Sequence, residues 1–397
     1  MRLKVLFVFI YLCSHSYAQL KSGFDAEEAK KMIQICNSFG YIDLYGSDAD
    51  ILPQGLWKQY TSSTLGMDNK FQIYANKQYG VIHFRGSTSK TTSWLENLYA
   101  SMIAGKGEII VNQNSFKYKV ASNEESRVHA GYMLALYYLK DDLLKQIKKL
   151  NDKGIYNFYI TGHSQGGALA QMTRAYLHYL PANELSKQNT FKVYAFANPM
   201  IGNNSFVKEY NQLFCEPGMS FLIHNPIDYV TKLPVSYNDS TYWQKHLSDF
   251  LFNRDNFSKS AFAIDGVMYF FKDKVNEYAK KMSKNIEAQI IRELGDIQMP
   301  KLYDDINYVH TGNIIKIAPV KYPLELKDSS ILKNDSLMRI YKRNADGVFE
   351  DKSLYKKQEM FIQHKAYNYY VSLLKEYFPS DYDALKNKYF VLPKKGL

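Results

Sequence analysis

Cysteine is scarce: the 397-residue chain has three. A dense disulfide framework, which small exported domains use in place of a large core, is thereby excluded. Glycine and proline number 21 and 11, too few and too irregular for a collagen-like or low-complexity chain. Beyond the N-terminus there is no run of about 20 apolar residues, so no membrane-crossing helix is expected. No internal repeat is present. HExxH, paired CxxC and a suitably placed GxGxxG are all missing, so neither a metal nor another cofactor is expected. Acidic residues trail basic ones, 39 against 50, for a net charge of +11. The excess is not gathered in one arm. It suits anionic membranes or anionic substrates, but no nucleic-acid-binding motif accompanies it, and no nucleic-acid partner is expected.

What the chain does have is apolar mass. Hydrophobic residues make up 46% and aromatics 15%, including 34 Tyr and 23 Phe. That is enough for the core of one large α/β domain or two ordinary ones. The first residues read as a secretory signal, residues 1–18. Arg2 and Lys4 precede the apolar run Val5 to Cys13, and Ser16-Tyr17-Ala18 offers small residues at a cleavage site. Tyr11 and Leu12 before Cys13 stand where a lipoprotein signal needs small residues, so no lipid anchor is expected. The expectation is a secreted chain, extracellular or periplasmic, running from residue 19 to 397. It would keep two cysteines, Cys36 and Cys215, either bridged or as two inert buried thiols.

Along residues 19–397 strand and helix patterns alternate. Asp25 and Glu28 have capping-box spacing before a helix with Ala29, Met32, Ile33 and Cys36 on one face. Strand-like runs are Phe71 to Ala75, Gly80 to Phe84, Ile155 to Ile160, Phe191 to Ala197, Ser220 to His224 and Asn313 to Ala318. Helical periods cover His129 to Leu150, Gln165 to Leu180 and Lys357 to Phe378. This predicts an α/β fold with a mostly parallel central sheet and helices on both faces. Tyr242 to Gly295 breaks the alternation: helical, aromatic and free of proline, it reads as an insertion (about 240–300).

The sharpest motif is Gly162-His163-Ser164-Gln165-Gly166-Gly167-Ala168. Gly-x-Ser-x-Gly alone arises by chance in about one chain in ten of this length. Here a strand-like run precedes it and a helical run follows, as a nucleophile elbow requires. Small residues let strand and helix approach, and the helix N-terminus offers amides to a developing oxyanion. A serine needs a base, and an acid to orient the base. The next acid to follow a strand and enter a loop is Asp228, in Ile227-Asp228-Tyr229-Val230.

These residues resemble the class 3 (fungal-type) lipases of the α/β-hydrolase fold, over roughly residues 65–370. Phe84-Arg85-Gly86-Ser87 is similar to the family's Arg-Gly-Thr/Ser segment, and Val128-His129-Ala130-Gly131-Tyr132 to its Val-His-x-Gly-Phe. The Ser164 motif matches Gly-His-Ser-Leu-Gly-Gly-Ala-Leu-Ala except for Gln165 in place of Leu. Tyr194 to Asn203 resembles the strand ending Pro-Arg-Val-Gly-Asn, with Met200 for Arg, and Asp228-Tyr229-Val230 before Leu233-Pro234 resembles the segment of the catalytic Asp. The resemblance implies Ser164 as nucleophile, Asp228 as acid, and backbone N–H groups of Ser87 and Gln165 as oxyanion hole. Ser87 could equally be a loop serine near the site.

For the histidine, His246, His310 and His364 follow Asp228. His364 resembles the family's final His, with aromatics after it. His310, in Tyr308-Val309-His310-Thr311-Gly312, is the alternative, and His129 and His163 read as structural. The implied function is hydrolysis of carboxylic esters, those of lipids foremost, by a triacylglycerol lipase or phospholipase A1-like enzyme. Aryl or feruloyl esterase activity is a further option within the class. The rival from another class is a noncatalytic lipid- or cell-surface-binding protein on the same scaffold. In the fungal lipases a lid follows the oxyanion segment. The matching stretch, Thr88 to Ala104, carries Trp94, Leu95, Leu98, Tyr99, Met102 and Ile103 at helical spacing. It reads either as a lid or as a core-packed helix, and the aromatic insertion competes for the capping role and for contact with lipid interfaces.

Overall fold

Alternation of side chains along the strands decides how this chain is layered. The computed structural model describes residues 20–45, 52–88, 90–234, 275–303, 307–345, 347–356 and 361–389. Its central sheet has seven strands: β1 (Trp57–Thr61), β2 (Phe71–Ala75), β3 (Gly80–Phe84), β4 (Asn157–His163), β5 (Thr190–Phe196), β6 (Ser220–His224) and β7 (Asn313–Lys316). They lie side by side in chain order. β1 to β3 form an antiparallel meander, and every pair from β3 to β7 is parallel.

Parallel strands need crossovers, and those crossovers cover both faces of the sheet. The helices used below are α1 (Ala26–Tyr45), α2 (Thr91–Leu98), α3 (Ala130–Asn151), α4 (Gln165–Tyr179), α5 (Val275–Leu294) and α6 (Ala366–Tyr377). One core joins Ile82, Phe84, Phe158, Ile160, Val193 and Ala195 to apolar residues of α3 and α4. The other joins Val81, Tyr159, Tyr194, Phe196, Phe221 and Ile223 to α1 and α6. Neighbouring residues such as Val81 and Ile82 thus belong to opposite cores, the two-residue period of a doubly covered sheet.

The N-terminal helix is pinned rather than merely packed. Asp25 caps it, its Oδ1 accepting from the N–H groups of Glu27 and Glu28 at 2.8 and 3.0 Å. The reciprocal half of the expected capping box is not made. Glu28 instead turns inward and takes Lys192 Nζ at 2.6 Å, Tyr159 Oη at 2.6 Å and Tyr194 Oη at 2.7 Å. Lys192 is fully buried, and a buried ammonium needs a carboxylate more than the helix end needs a second cap.

Three expectations change. Thr88 to Ala104 is not one helix: α2 stops at Leu98, and Met102–Ala104 is a strand paired with Arg127–His129. Leu95, Tyr99, Met102 and Ile103 are buried, so the stripe is divided between a helix and a strand and packs inward in this structure. Second, the C-terminal helix begins at Ala366, and His364 lies in the preceding 3-10 turn Ile362–His364. Third, a small sheet is added by Lys106–Val111 and Asn114–Lys119, joined by Asn112 and Gln113 at φ 47° and 68°, with Ile297–Gln298 against it. A two-residue turn with both φ positive suits the twist of such a hairpin. Of the proposed insertion, residues 275–294 are helix α5, and residues 235–274 lie outside the described residues, as does the leader at 1–18.

Cys36 and Cys215 are both buried and unbridged. Cys36 Sγ lies 3.7 Å from Thr161 Oγ1, while Cys215 bonds Asn211 Oδ1 at 3.1 Å. Burial pushes each thiol up to about 12, which keeps it protonated and inert. Iodoacetamide should therefore add two groups to the unfolded, unreduced chain lacking residues 1–18, and react negligibly with the folded one. An unmodified unfolded chain in the mass spectrum would mean a disulfide.

Candidate active site

The site is built on the turn between β4 and α4, where backbone passes backbone. A Cβ placed on Gly162 would collide with the Gly166 carbonyl group, and one on Gly166 with the Phe84 carbonyl oxygen. Only glycine allows that approach. It forces Ser164 to φ 59°, ψ −131°, a conformation that costs an L-residue about 1–3 kcal/mol. The strain is held by the Ser164 N–H on Phe196 O at 2.9 Å and by the first turn of α4, whose Gly167 N–H bonds Ser164 O at 2.9 Å.

Two loops bring partners to this serine. Past β6 the chain turns through Asn225 and Pro226, with the Asp228 N–H on Asn225 O at 3.0 Å. Asp228 is buried; its Oδ1 accepts the Val230 N–H at 3.0 Å. The turn before α6 presents His364. His364 Nδ1 is 2.8 Å from Asp228 Oδ2, and His364 Nε2 is 2.8 Å from Ser164 Oγ. A carboxylate can only accept, so Nδ1 carries the proton and Nε2 is left to receive the serine hydroxyl proton. Chemically this arrangement can activate Ser164 as a nucleophile.

A residue absent from the sequence reading completes the acid. Tyr369, one turn into α6, donates its hydroxyl to Asp228 Oδ2 at 2.7 Å and accepts the Asn225 N–H at 3.2 Å. Nothing in its local pattern marks it out from a core aromatic; only the packing of α6 on the β6 loop does. Asn225 also donates to Gln363 Oε1 at 3.0 Å, and Gln363 donates to Val320 O at 2.9 Å, which ties the acid loop to the turn bearing His364.

The other histidines lie elsewhere. His310 packs its ring 5.5 Å from His224, and burial, then the charges of His224 and Lys232, lower its pKa to about 4. His163 is half-buried against the His364 ring, with centroids 4.7 Å apart. Desolvation first, and the proximity of the His364 ring second, hold its pKa well below the ordinary histidine value. His129 caps α3, its Nδ1 accepting from the Tyr132 N–H at 3.4 Å. His246 lies outside the described residues.

Ser87 and Gln165 come together beside Ser164. Among the described residues neither backbone N–H has a hydrogen-bond partner, so both remain available to an anion. The Ser87 hydroxyl, by contrast, is spent: it donates to Gln165 Oε1 at 2.6 Å and accepts from Asn97 Nδ2 at 2.9 Å. Gln165 Nε2 donates to Glu96 Oε1 at 2.6 Å, and Asn69 Nδ2 donates to Glu96 Oε2 at 2.6 Å. Glu96 has no exposed surface. Burial pushes its carboxyl up to about 8; the Asn69 and Gln165 bonds pull against this, and the Asp68 charge adds to it. Among the described residues no group of three or more His, Cys, Asp or Glu is arranged to hold a metal.

A seven-stranded, mainly parallel sheet with a strained serine elbow, and with histidine and acid arriving on later loops, defines the α/β-hydrolase fold. Residues 81–238, about two fifths of the chain, match the family model described as Lipase (class 3). The matched stretch holds Ser87, Ser164, Gln165 and Asp228 but ends before His364. A curated relative, Lipase ZK262.3 of Caenorhabditis elegans, is 34% identical over 87 residues, 22% of this chain. The match spans only 23% of that relative's length. Among solved structures the chain is similar to a fungal lipase–inhibitor complex, with 21% identity, TM-score 0.41, and 53% of this chain and 74% of that one covered. It is also similar to the Rhizomucor miehei lipase–propeptide complex, with 21% identity, TM-score 0.40, and 54% and 66% covered. A lipase from Rhizopus microsporus var. chinensis is 18% identical, with TM-score 0.39 and 54% and 71% covered.

The raised carboxyl of Glu96 has a stability consequence. The unfolded chain ionises at this position from about 4.5 upward, whereas the folded chain holds the proton until about 8. Folding therefore loses stability as pH rises through that window. Glu96→Gln removes the proton from the balance. Its melting temperature relative to the parent should climb from about pH 5 to about pH 8. Parallel melting curves across the window would mean that the carboxyl is ionised in the fold.

Proposed function

We propose that this chain is an exported serine ester hydrolase that cleaves carboxylic esters, lipid esters above all, through an acyl-enzyme. The single observation that carries the reading is His364 lying 2.8 Å from Ser164 Oγ on one side and 2.8 Å from Asp228 on the other. His364 Nε2 takes the hydroxyl proton as Ser164 Oγ attacks the ester carbonyl. The N–H groups of Ser87 and Gln165 receive the oxyanion. Collapse expels the alcohol, protonated by His364, and leaves the acyl group on Ser164. A water then attacks, His364 taking its proton, and the acid is released. Asp228 stays ionised throughout and orients the imidazole, with Tyr369 holding the carboxylate.

The lipid preference is supported by the family match and by the aromatic character of the 242–295 stretch, which suits a lipid interface. Export is supported by the pattern of residues 1–18; the N-terminal sequence of protein recovered outside the cytoplasm should begin near residue 19. A panel of esters differing in chain length and headgroup would separate acylglycerol, phospholipid and aryl substrates.

Ser164→Ala should lose fluorophosphonate labelling and fall to the residual level of about 10³–10⁴-fold over water that binding and the oxyanion hole supply alone. His364→Ala should match it, and His310→Ala should cost less than about tenfold, since His310 touches neither Ser164 nor Asp228. A folded His310→Ala with the deeper loss would reverse the two histidines. Tyr369→Phe removes one bond to the acid and should lower kcat about tenfold with KM little changed. A parent protein that neither labels nor turns over any ester would favour a noncatalytic lipid-binding role.

A further inference from the structure

The class 3 lipase pattern places an apolar leucine after the nucleophile, and this chain has Gln165 there. Leucine asks nothing of its surroundings but contact. A buried carboxamide presents an oxygen and two N–H groups, all of which must find partners. Gln165 is buried. Its Oε1 receives the Ser87 hydroxyl at 2.6 Å, Asn97 Nδ2 at 3.2 Å and Ser93 Oγ at 3.3 Å. Its Nε2 gives to Glu96 Oε1 at 2.6 Å and Asn69 Oδ1 at 3.2 Å. These partners come from α2, from the turn before β2 and from the loop after β3. One side chain thereby ties the elbow to the loop of Ser87.

We propose that Glu96 is a positioning residue for the oxyanion hole, holding the Gln165 side chain, and through it the Ser87 hydroxyl, against the turn that carries Ser164. The proposal rests on the hydrolase reading above. Both N–H groups assigned to the hole belong to residues whose side chains lie in this network. Removing the Glu96 acceptor leaves Gln165 Nε2 and Asn69 Nδ2 short of a partner in a dry site, and the network must rearrange to recover it. A displacement of about 1 Å in an oxyanion donor can cost about 100-fold in rate.

The charge state matters as well. Among the described residues no lysine, arginine or histidine side chain pairs with Glu96. Asp68, the acid on the neighbouring turn, takes Arg85 at 3.0 Å and Lys90 at 2.7 Å for itself. From α3 the facing titratable group is Tyr132, whose hydroxyl donates to Asn97 Oδ1 at 2.9 Å. From α5 it is Glu287, set against Tyr99. Among the described residues, then, no cation offsets an ionised Glu96. As a neutral acid it supports the hole; ionised, it puts a negative charge behind the position where an oxyanion develops. Deprotonation above about pH 8 should slow acyl transfer.

The test uses the full mature chain, a short soluble p-nitrophenyl ester and a fluorophosphonate probe, from about pH 6 to about pH 9.5. The parent kcat should fall on the alkaline side with an apparent pKa near 8. Glu96→Gln, which keeps the shape and cannot ionise, should remove that fall. Glu96→Leu should lower kcat and the labelling rate about 10- to 100-fold with KM within about twofold, and Glu96→Gln, which keeps one of the two acceptor oxygens, should recover part of that loss. A folded Glu96→Leu with the parent's kcat and labelling rate would overturn the proposal. An alkaline fall unchanged in Glu96→Gln would overturn it too, and that variant serves if Glu96→Leu does not fold. A parent that fails to label at all would instead sink the hydrolase reading, an outcome visible before any variant is made.

Discussion

Everything at the site depends on how closely helix α4 can approach strands β3 and β4. The Gly166 position lies against the Phe84 carbonyl and the Gly162 position against Gly166 itself. A single methyl group at either would push the helix off the sheet. The close approach is what holds Ser164 in its strained turn, lifts its hydroxyl above the sheet and leaves the Gln165 N–H without a partner inside the helix. The strain of about 1–3 kcal/mol is small against the packing of two buried helices on that face, which keeps the turn from relaxing.

The second requirement is that three separate loops meet with an accuracy of tenths of an ångström. The parallel sheet supplies it, because β4 and β6 end at the same edge and their following loops emerge side by side. His364 is held differently. It sits in a turn just before α6, and α6 returns a tyrosine to the same carboxylate that the histidine uses. Anchoring a residue before a helix and another inside it to one buried acid fixes both the position and the tilt of the imidazole.

The polar network around Gln165 shows how one side-chain change propagates. A carboxamide beneath the elbow recruits Ser87, Asn97, Asn69 and Glu96, and so needs a carboxylic acid in a place without water. The acid is tolerated because it can remain protonated. Hydrogen bonding, burial and protonation at this point form one coupled unit, and it adjoins the place where charge would develop in acyl transfer.

Much of this was legible locally. Periodicity marked α3 and α4, apolar runs marked β2, β3, β5 and β6, and Gly-x-Ser-x-Gly between a strand and a helix marked the elbow, because tight backbone approach restricts which residues can stand there. Asp228 was legible from its place after a strand. Which histidine serves it was not decided by pattern: His310 and His364 both have aromatic neighbours, and only the packing of α6 against the β6 loop puts His364 on Ser164 and His310 against His224. The Thr88 to Ala104 stripe carries the period of a single helix, yet the fold divides it into α2 and a strand, with Leu95, Tyr99, Met102 and Ile103 packed inward. Tyr369 and Glu96 carry no signature at all, since a tyrosine or a glutamate acquires its role from partners far away in the chain. Residue order determined the elbow, the sheet and the candidate residues, which rest on local sterics and periodicity. The choice among histidines, the support of the acid and the state of Glu96 depend on desolvation and on contacts between distant segments, and those exist only in the folded structure.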